Sequence, residues 1–152
     1  MDEIIAREPT DDDIAYLARH MRARDVEEIQ AASGCNPLTS VRRSVATSVW
    51  ARSFFLNGQL MCIAGLALFE GGTLAAPWAL STHMLDLHPK AFVKHSREIV
   101  RDLLAIHPHL MNFVDARNTK SIRWLRGVGF TILPAIPYGA SGLPFHPFAM
   151  RA

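Results

Sequence analysis

The stretch NTKSIRWLRGVGF, residues 118–130, begins on a polar side chain, carries apolar residues at helical spacing and leaves through Gly-Phe. Asn118 suits a helix N-cap, and Ile122, Leu125 and Val128 recur on one face. Gly129 can take the left-handed position that ends a helix and lets Phe130 open a strand. The run just before it, LMNFVDAR at 110–117, reads as a strand. A strand, a short amphipathic helix and a second strand therefore follow one another without a linker.

Working outward, HPKAFVKHSREIVRDLLAIHP at 88–108 predicts a long helix. Pro89 stands at its first position, Phe92, Ile99, Leu103 and Ile106 lie on one face, and Pro108 falls just past its end. FTILPAIPYGASGLPFHPFAM at 130–150 predicts two strands around a glycine-rich turn. Upstream, WARSFFL, QLMCIAGLALF and TLAAPWALST are apolar runs joined by Asn57-Gly58 and Gly71-Gly72, a pattern that predicts an antiparallel three-strand meander. Pro77 has no N–H for a ladder, so it predicts a bulge or a locally unpaired edge in the third of these strands. At the start, EIIARE predicts a strand. Thr10 then caps a helix whose first turn is Asp11, Asp12 and Asp13, with Ile14, Leu17, Ala18 and Met21 at helical spacing. A second helix around Asp25 to Ala32 turns Val26 and Ile29 inward and stops at Gly34, and a third carries Leu38, Val41, Val45 and Val49 on one stripe.

The totals bound what such a chain can be. Its 152 residues suffice for one domain with a substantial core, 1–152, and are too few for two ordinary ones. With 49% hydrophobic and 20% charged residues it has globular composition. The sixteen Lys and Arg are interspersed with fourteen Asp and Glu, so no basic stripe for nucleic acid is present. The acidic start argues against a signal peptide, and the longest apolar run is about half of the roughly 20 residues a membrane span needs. Cys35 and Cys62 read as two reduced, buried thiols of a cytoplasmic protein. Seven histidines include no HExxH pair, and His107 and His109 flank a proline, so no metal site is predicted.

Strand, helices, meander, long helix, strand, short helix, final hairpin: this order resembles the GNAT fold of acyl-CoA-dependent N-acyltransferases. That fold is a mixed, mostly antiparallel sheet of six or seven strands flanked by helices, with its fourth and fifth strands splayed. Many members carry an Asn, a small residue three on, an apolar-Tyr pair and then Gly-Phe. Here those places hold Asn118, Ser121, Trp124-Leu125 and Gly129-Phe130. The resemblance implies a phosphate cradle between the fourth strand and the long helix, usually RxxGxG or QxxGxG. The matching segment, STHMLDLHPKAF, has no glycine, and Leu125 stands where the usual tyrosine acid would be. PWALST, the 88–118 block and IRWLRGVGF are also similar to the small GNAT-like internal virion or core proteins of T7-like podophages, which are implicated in virion morphogenesis.

Several residues acquire candidate roles from this resemblance, each beside a plainer one. His83 would stand at the cleft mouth as a base toward an amine, or be an ordinary loop histidine. Ser81 and Thr82 could hydrogen-bond an acyl carbonyl, or end a strand and cap a helix. The fourth-strand residues Trp78, Ala79 and Leu80 would lie along a pantetheine arm. Lys90, with Lys94 and Arg97, could meet phosphates or form a solvated helix face. Asn118, Ser121 and Trp124 would touch the cofactor, or serve as cap and cleft wall. Asp115 and Arg117 could pair with each other's neighbours to fix the corner that borders the acyl site. The hairpin YGASGLPFHPFAM exposes apolar groups that a partner or second copy would cover, unless its own helices do.

The first reading is therefore a phage GNAT-fold protein with a role in virion assembly or inside the particle, its acyl-transfer chemistry lost or atypical. Its partners would be other virion or assembly proteins, or copies of itself, and it would reside in the host cytoplasm or the virion. The alternative is a working acetyl-CoA-dependent N-acetyltransferase in which fourth-strand backbone groups, with Ser81, His83 or a water, support direct attack of an amine on the thioester.

Overall fold

The computed structural model describes residues 3–152. The chain forms β1 (Ile4–Arg7), α1 (Asp11–His20), α2 (Ala23–Ser33), α3 (Pro37–Thr47), β2 (Ser48–Leu56), β3 (Gln59–Leu68) and β4 (Ala75–Ser81). Then follow α4 (Met84–Leu87), α5 (Pro89–Ile106), β5 (His109–Asp115), α6 (Thr119–Val128), β6 (Thr131–Ile132), β7 (Ile136–Pro137) and β8 (Pro144–Arg151). The strands make one sheet in the order β1-β2-β3-β4-β5-β8-β6, with β7 also lying against β8. This mixed, mostly antiparallel sheet has eight strands, more than the six or seven expected. The first arm of the final hairpin is split into β6 and β7 around Pro134, which has no N–H to continue a ladder, and both pieces pair with β8.

Local chemistry accounts for most element ends. Thr10 accepts from the Asp13 N–H and the Asp13 carboxylate accepts from the Thr10 N–H, which closes a capping box. Asn36 accepts from the Thr39 N–H ahead of Pro37 at the start of α3, and Asn118 accepts from the Ser121 N–H to start α6. At the β2–β3 turn, Asn57 and Gly58 have φ of 49° and 83°, the paired positive values of a two-residue hairpin. Gly71-Gly72 lies instead in a six-residue connection closed by Phe69 N–H donating to Leu74 C=O. Val49, expected on the α3 stripe, is an exposed residue of β2, and Ile106 is exposed at the end of α5, where Val100 takes its place in the core.

The sheet separates two apolar layers. On one side, Ile14 and Leu17 of α1 and Val41 of α3 pack against Leu60 and Ile63. On the other, Val100 and Leu103 of α5 and Ile122 and Leu125 of α6 pack against Leu66, Leu110, Val114 and Phe148. The C-terminal loop, where a partner was one expectation, docks on its own chain. Ala140 N–H donates to Ala32 C=O and Ser141 N–H to Ala31 C=O, while Tyr138 stacks on Phe113 with ring centroids 3.9 Å apart. Cys35 is only half-buried, unlike the fully buried Cys62, and both are free thiols.

One contact fixes the ring of an aromatic residue in β4. Trp78 lies across Gly65 of β3, where an added Cβ would stand 2.7 Å from the indole ring, and its Nε1–H donates to Ser48 Oγ at 2.8 Å. Gly65→Ala should therefore displace the ring and cost about 1–3 kcal/mol, measured by urea unfolding with tryptophan emission as the probe.

Candidate active site

The splay between β4 and β5 follows from their backbone groups. The two strands are parallel and meet at a single pair, Ala75 with Leu110. On its other side β4 pairs with β3 without a register shift from Ala75 to Ser81, so Pro77 makes no bulge, and the unpaired edge faces β5. Because N–H and C=O of one residue point the same way and successive residues alternate, Pro77, Ala79 and Ser81 turn their backbone groups away from β3.

Side chains occupy most of that edge. Asn112 Nδ2 donates to Pro77 C=O at 2.8 Å while its Oδ1 accepts from Phe113 N–H at 2.8 Å. At the far end, Ser81 N–H donates to Asp25 Oδ2 at 2.9 Å, and Ser81 C=O accepts from Arg22 N–H at 2.9 Å. On β5, Asp115 N–H donates to Glu28 Oε1 at 2.9 Å. Ala79 lies between these fastenings and, by the alternation, presents its N–H and C=O to the opening. The result is a cavity of about 420 Å³ that passes between the strands, within the usual size of a small-ligand site.

The cavity wall is apolar on the α5–α6 side, where Phe92, Val93, Ile99 and Trp124 face it, and polar at the α2 end, where Arg24, Asp25 and Glu28 do. Trp124 stacks near Phe92, and its indole N–H is buried with no hydrogen-bond partner among the described residues. Cys62 also lines the cavity, but burial pushes its thiol up to about 12, so it is not a thiolate nucleophile at neutral pH.

Two carboxylates on one face of α2 are perturbed. Burial raises Asp25 above its ordinary range, against the pull of Arg22, whose guanidinium meets it at 3.0 and 3.3 Å. Burial likewise raises Glu28, reinforced by the neighbouring charges of Asp25 and Asp115 and opposed by hydrogen bonds from Asp115 N–H and the Asn118 side chain. Glu28 settles at about 7, the range of a general base at neutral pH. Asp115 moves the other way, held low by its hydrogen bonds from Arg117. The expected pairing of Asp115 and Arg117 with each other's neighbours is thus partly a direct pair, with Glu27 as the neighbour that completes it.

Of the residues singled out from the sequence, Trp78, Ala79, Leu80, Ser81, Ser121 and Trp124 line the cavity. Ser81 is buried, with its backbone fastened to α2. Thr82, His83, Lys90 and Asn118 are not part of that wall. Thr82 Oγ1 is 2.9 Å from Leu60 C=O, to which it donates, and accepts from Met84 N–H. His83 is an exposed residue at the start of α4, and Lys90, Lys94 and Arg97 are exposed on α5. Asn118 caps α6 and steadies Glu28. Arg22, Asp25 and Glu28 escaped the sequence reading, which looked for the apolar stripe of α2. The signal for the two carboxylates was that Asp25 lies one turn before Ile29 and Glu28 beside it, charged residues bordering the inward stripe.

The walls fit one part of an acyl-CoA better than another. A pantetheine arm needs an apolar slot with a few backbone partners, which the Ala79 edge and the Phe92–Trp124 wall supply. The segment leading to α5 is the helical turn α4, whose Leu85 is buried in the core, followed by Pro89. It has none of the positive-φ glycines of a phosphate-binding loop. No metal-binding cluster of His, Cys, Asp or Glu is present among the described residues, and none of their helices is long and apolar enough to cross a membrane.

No family model matches the chain, and no curated protein sequence does. Solved structures do. A GNAT-family acetyltransferase from Bacillus anthracis superposes with a TM-score of 0.72 at 11% identity, over 97% of this chain and 94% of that one. One from Streptococcus pneumoniae gives 0.66 at 12% identity, over 99% and 100%. Aminoglycoside acetyltransferase AAC(6')-Ib, solved with coenzyme A, gives 0.70 at 19% identity, over 98% and 95%. The chain has the GNAT fold, with the parallel, splayed β4–β5 pair at its centre.

Glu28 makes stability depend on pH in a definite sense. The native state holds a proton on Glu28 more tightly than the unfolded chain, whose value is near 4.5, so its contribution is complete below 4.5 and is lost as pH rises through about 7. Glu28→Gln keeps an acceptor for Asp115 N–H and carries no charge. Urea unfolding should find it more stable than the parent by about 1–3 kcal/mol near pH 8, with the difference vanishing near pH 4.

Proposed function

We propose that this protein is an acyl-CoA-dependent N-acyltransferase in which Glu28 serves as general base and the Ala79 backbone N–H receives the thioester carbonyl. The observation that carries the reading is a carboxylate held at about 7 in the wall of the opening between β4 and β5. Among the described residues Glu28 has no ion pair, and its hydrogen bonds come from neutral donors, Asp115 N–H and the Asn118 amide.

Acetyl-CoA would supply an activated acyl group, transferred as the amine nitrogen bonds to the carbonyl carbon and the carbon–sulfur bond breaks. Glu28 takes the proton that the attacking amine loses. Ala79 N–H, fixed by the β3–β4 ladder, donates to the oxygen on which negative charge gathers. Leu125 has no proton to give, so the departing sulfur relies on the donors α6 offers to the cavity, the Ser121 hydroxyl one turn earlier and the Trp124 indole N–H. Phe92 and Trp124 keep water from the arm. The sequence reading put virion assembly first because of its resemblance to podophage internal virion proteins, and took the chemistry as lost or atypical because the glycine loop and the tyrosine are absent. The α2 carboxylate and the open β4 edge favour chemistry, and no feature of the site calls for an assembly role.

Acetyl-CoA at millimolar concentration should raise the melting temperature, and free thiol should appear when a primary amine is added. No thermal shift at that concentration defeats the reading. Glu28→Gln should keep the acetyl-CoA shift and lose roughly 10²-fold or more in kcat, together with the rise of kcat/KM through about pH 7. Ala79→Pro removes an N–H that no ladder bond uses, so the sheet should persist while kcat/KM falls by about tenfold or more.

A further inference from the structure

A second cleft, of about 290 Å³, opens where α2, the end of β5 and the start of α6 meet. Its charged groups do not cancel. Arg117 is committed to Asp115 at 2.7 Å and to Glu27 at 2.9 Å, which uses both carboxylates of that cleft. Arg24 and Lys120 are left over. Lys120 Nζ comes no nearer than 3.8 Å to Asp86 Oδ1, an oxygen that already accepts from Arg22 at 3.2 Å. Both cations also line the larger cavity, so they stand at the junction of the two clefts.

Their placement relative to Glu28 follows from helix geometry. Arg24 is one turn before Glu28 on the same face of α2, so their Cβ atoms are roughly 5–6 Å apart. Lys120 is one turn before Trp124 on α6, across the opening. The other carboxylates at this end are already engaged, Asp25 by Arg22 and Ser81 N–H and Asp86 by Arg22, so Arg24 and Lys120 are the cations with room for a further anion.

We propose that the acceptor of this site is a small amine that also carries an oxyanion, carboxylate or phosphate, gripped by Arg24 and Lys120 while its amine reaches Glu28. The inference rests on the acyltransferase reading and adds the substrate class. A guanidinium and an ammonium converging on an oxyanion give charge-assisted hydrogen bonds that a neutral amine cannot make and that a polycation would oppose. The anchoring end would also set the orientation of the amine.

Calorimetric titration with β-alanine, phosphoethanolamine, ethanolamine and spermidine, with and without acetyl-CoA, tests this. β-Alanine or phosphoethanolamine should bind about tenfold or more tightly than the other two, weaken with added salt, and lose about tenfold or more in Arg24→Gln and in Lys120→Gln, whose folding is checked by thermal melting. Preference between the first two probes tells carboxylate from phosphate. Equal or tighter binding of ethanolamine or spermidine, unchanged affinity in both variants, or no binding of any probe overturns the proposal. Turnover of acetyl-CoA with spermidine but not with the anionic amines would sink this inference alone. Failure of acetyl-CoA to bind would sink the acyltransferase reading, whatever the amine titrations show.

Discussion

The structure turns on one interruption in a sheet. β4 and β5 are joined at Ala75 and Leu110 and then part. A parted sheet exposes backbone donors and acceptors that must find other partners. Here they are met by a bridging amide, Asn112, near the hinge and by the carboxylates of α2 at the far end. Pro77 contributes by having no N–H to leave unmet. The opening is therefore a satisfied feature of the fold, with the Ala79 edge as the stretch that side chains do not cover.

The same fastenings set the electrostatics. Asp25 and Glu28 are on α2 because their oxygens close the strand ends, and closing them buries both carboxylates. One of the two is given a guanidinium and the other is not, which separates their character. Asp25 with Arg22 is a joint between α2 and β4. Glu28, bonded only to an N–H and an amide, is left near the pH of its surroundings and costs stability whenever it ionises.

The departures from the usual acyltransferase pattern also have structural reasons. The segment between β4 and α5 is taken up by α4, which turns Leu85 into the apolar layer beside Phe92 and Met61. Glycines there would have left that layer short of a side chain. Leu125 sits in the core with Val100 and Leu103, where a phenol would need a partner for its hydroxyl. The donors on this wall both precede the usual position, Trp124 by one residue and Ser121 by one turn.

Element order, helix caps, the Asn57-Gly58 hairpin and the capacity of Pro77 to spoil a ladder were legible in the sequence, because they depend on residues within a few positions of one another. Composition set the limits of one globular domain. What the sequence could not decide was which side of Pro77 would go unpaired and which polar residues would meet across the gap. Glu28 and Asp115 are 87 positions apart, and Ser81 and Asp25 are 56 apart. His83 was a candidate base and Thr82 a candidate donor to an acyl carbonyl; His83 is exposed at the start of α4, and Thr82 Oγ1 donates to Leu60 C=O. A local pattern specifies which face of a helix is apolar. Only the packed sheet decides what the polar face of α2 is brought against, and burial there moves a carboxyl group by a free energy that no local pattern contains.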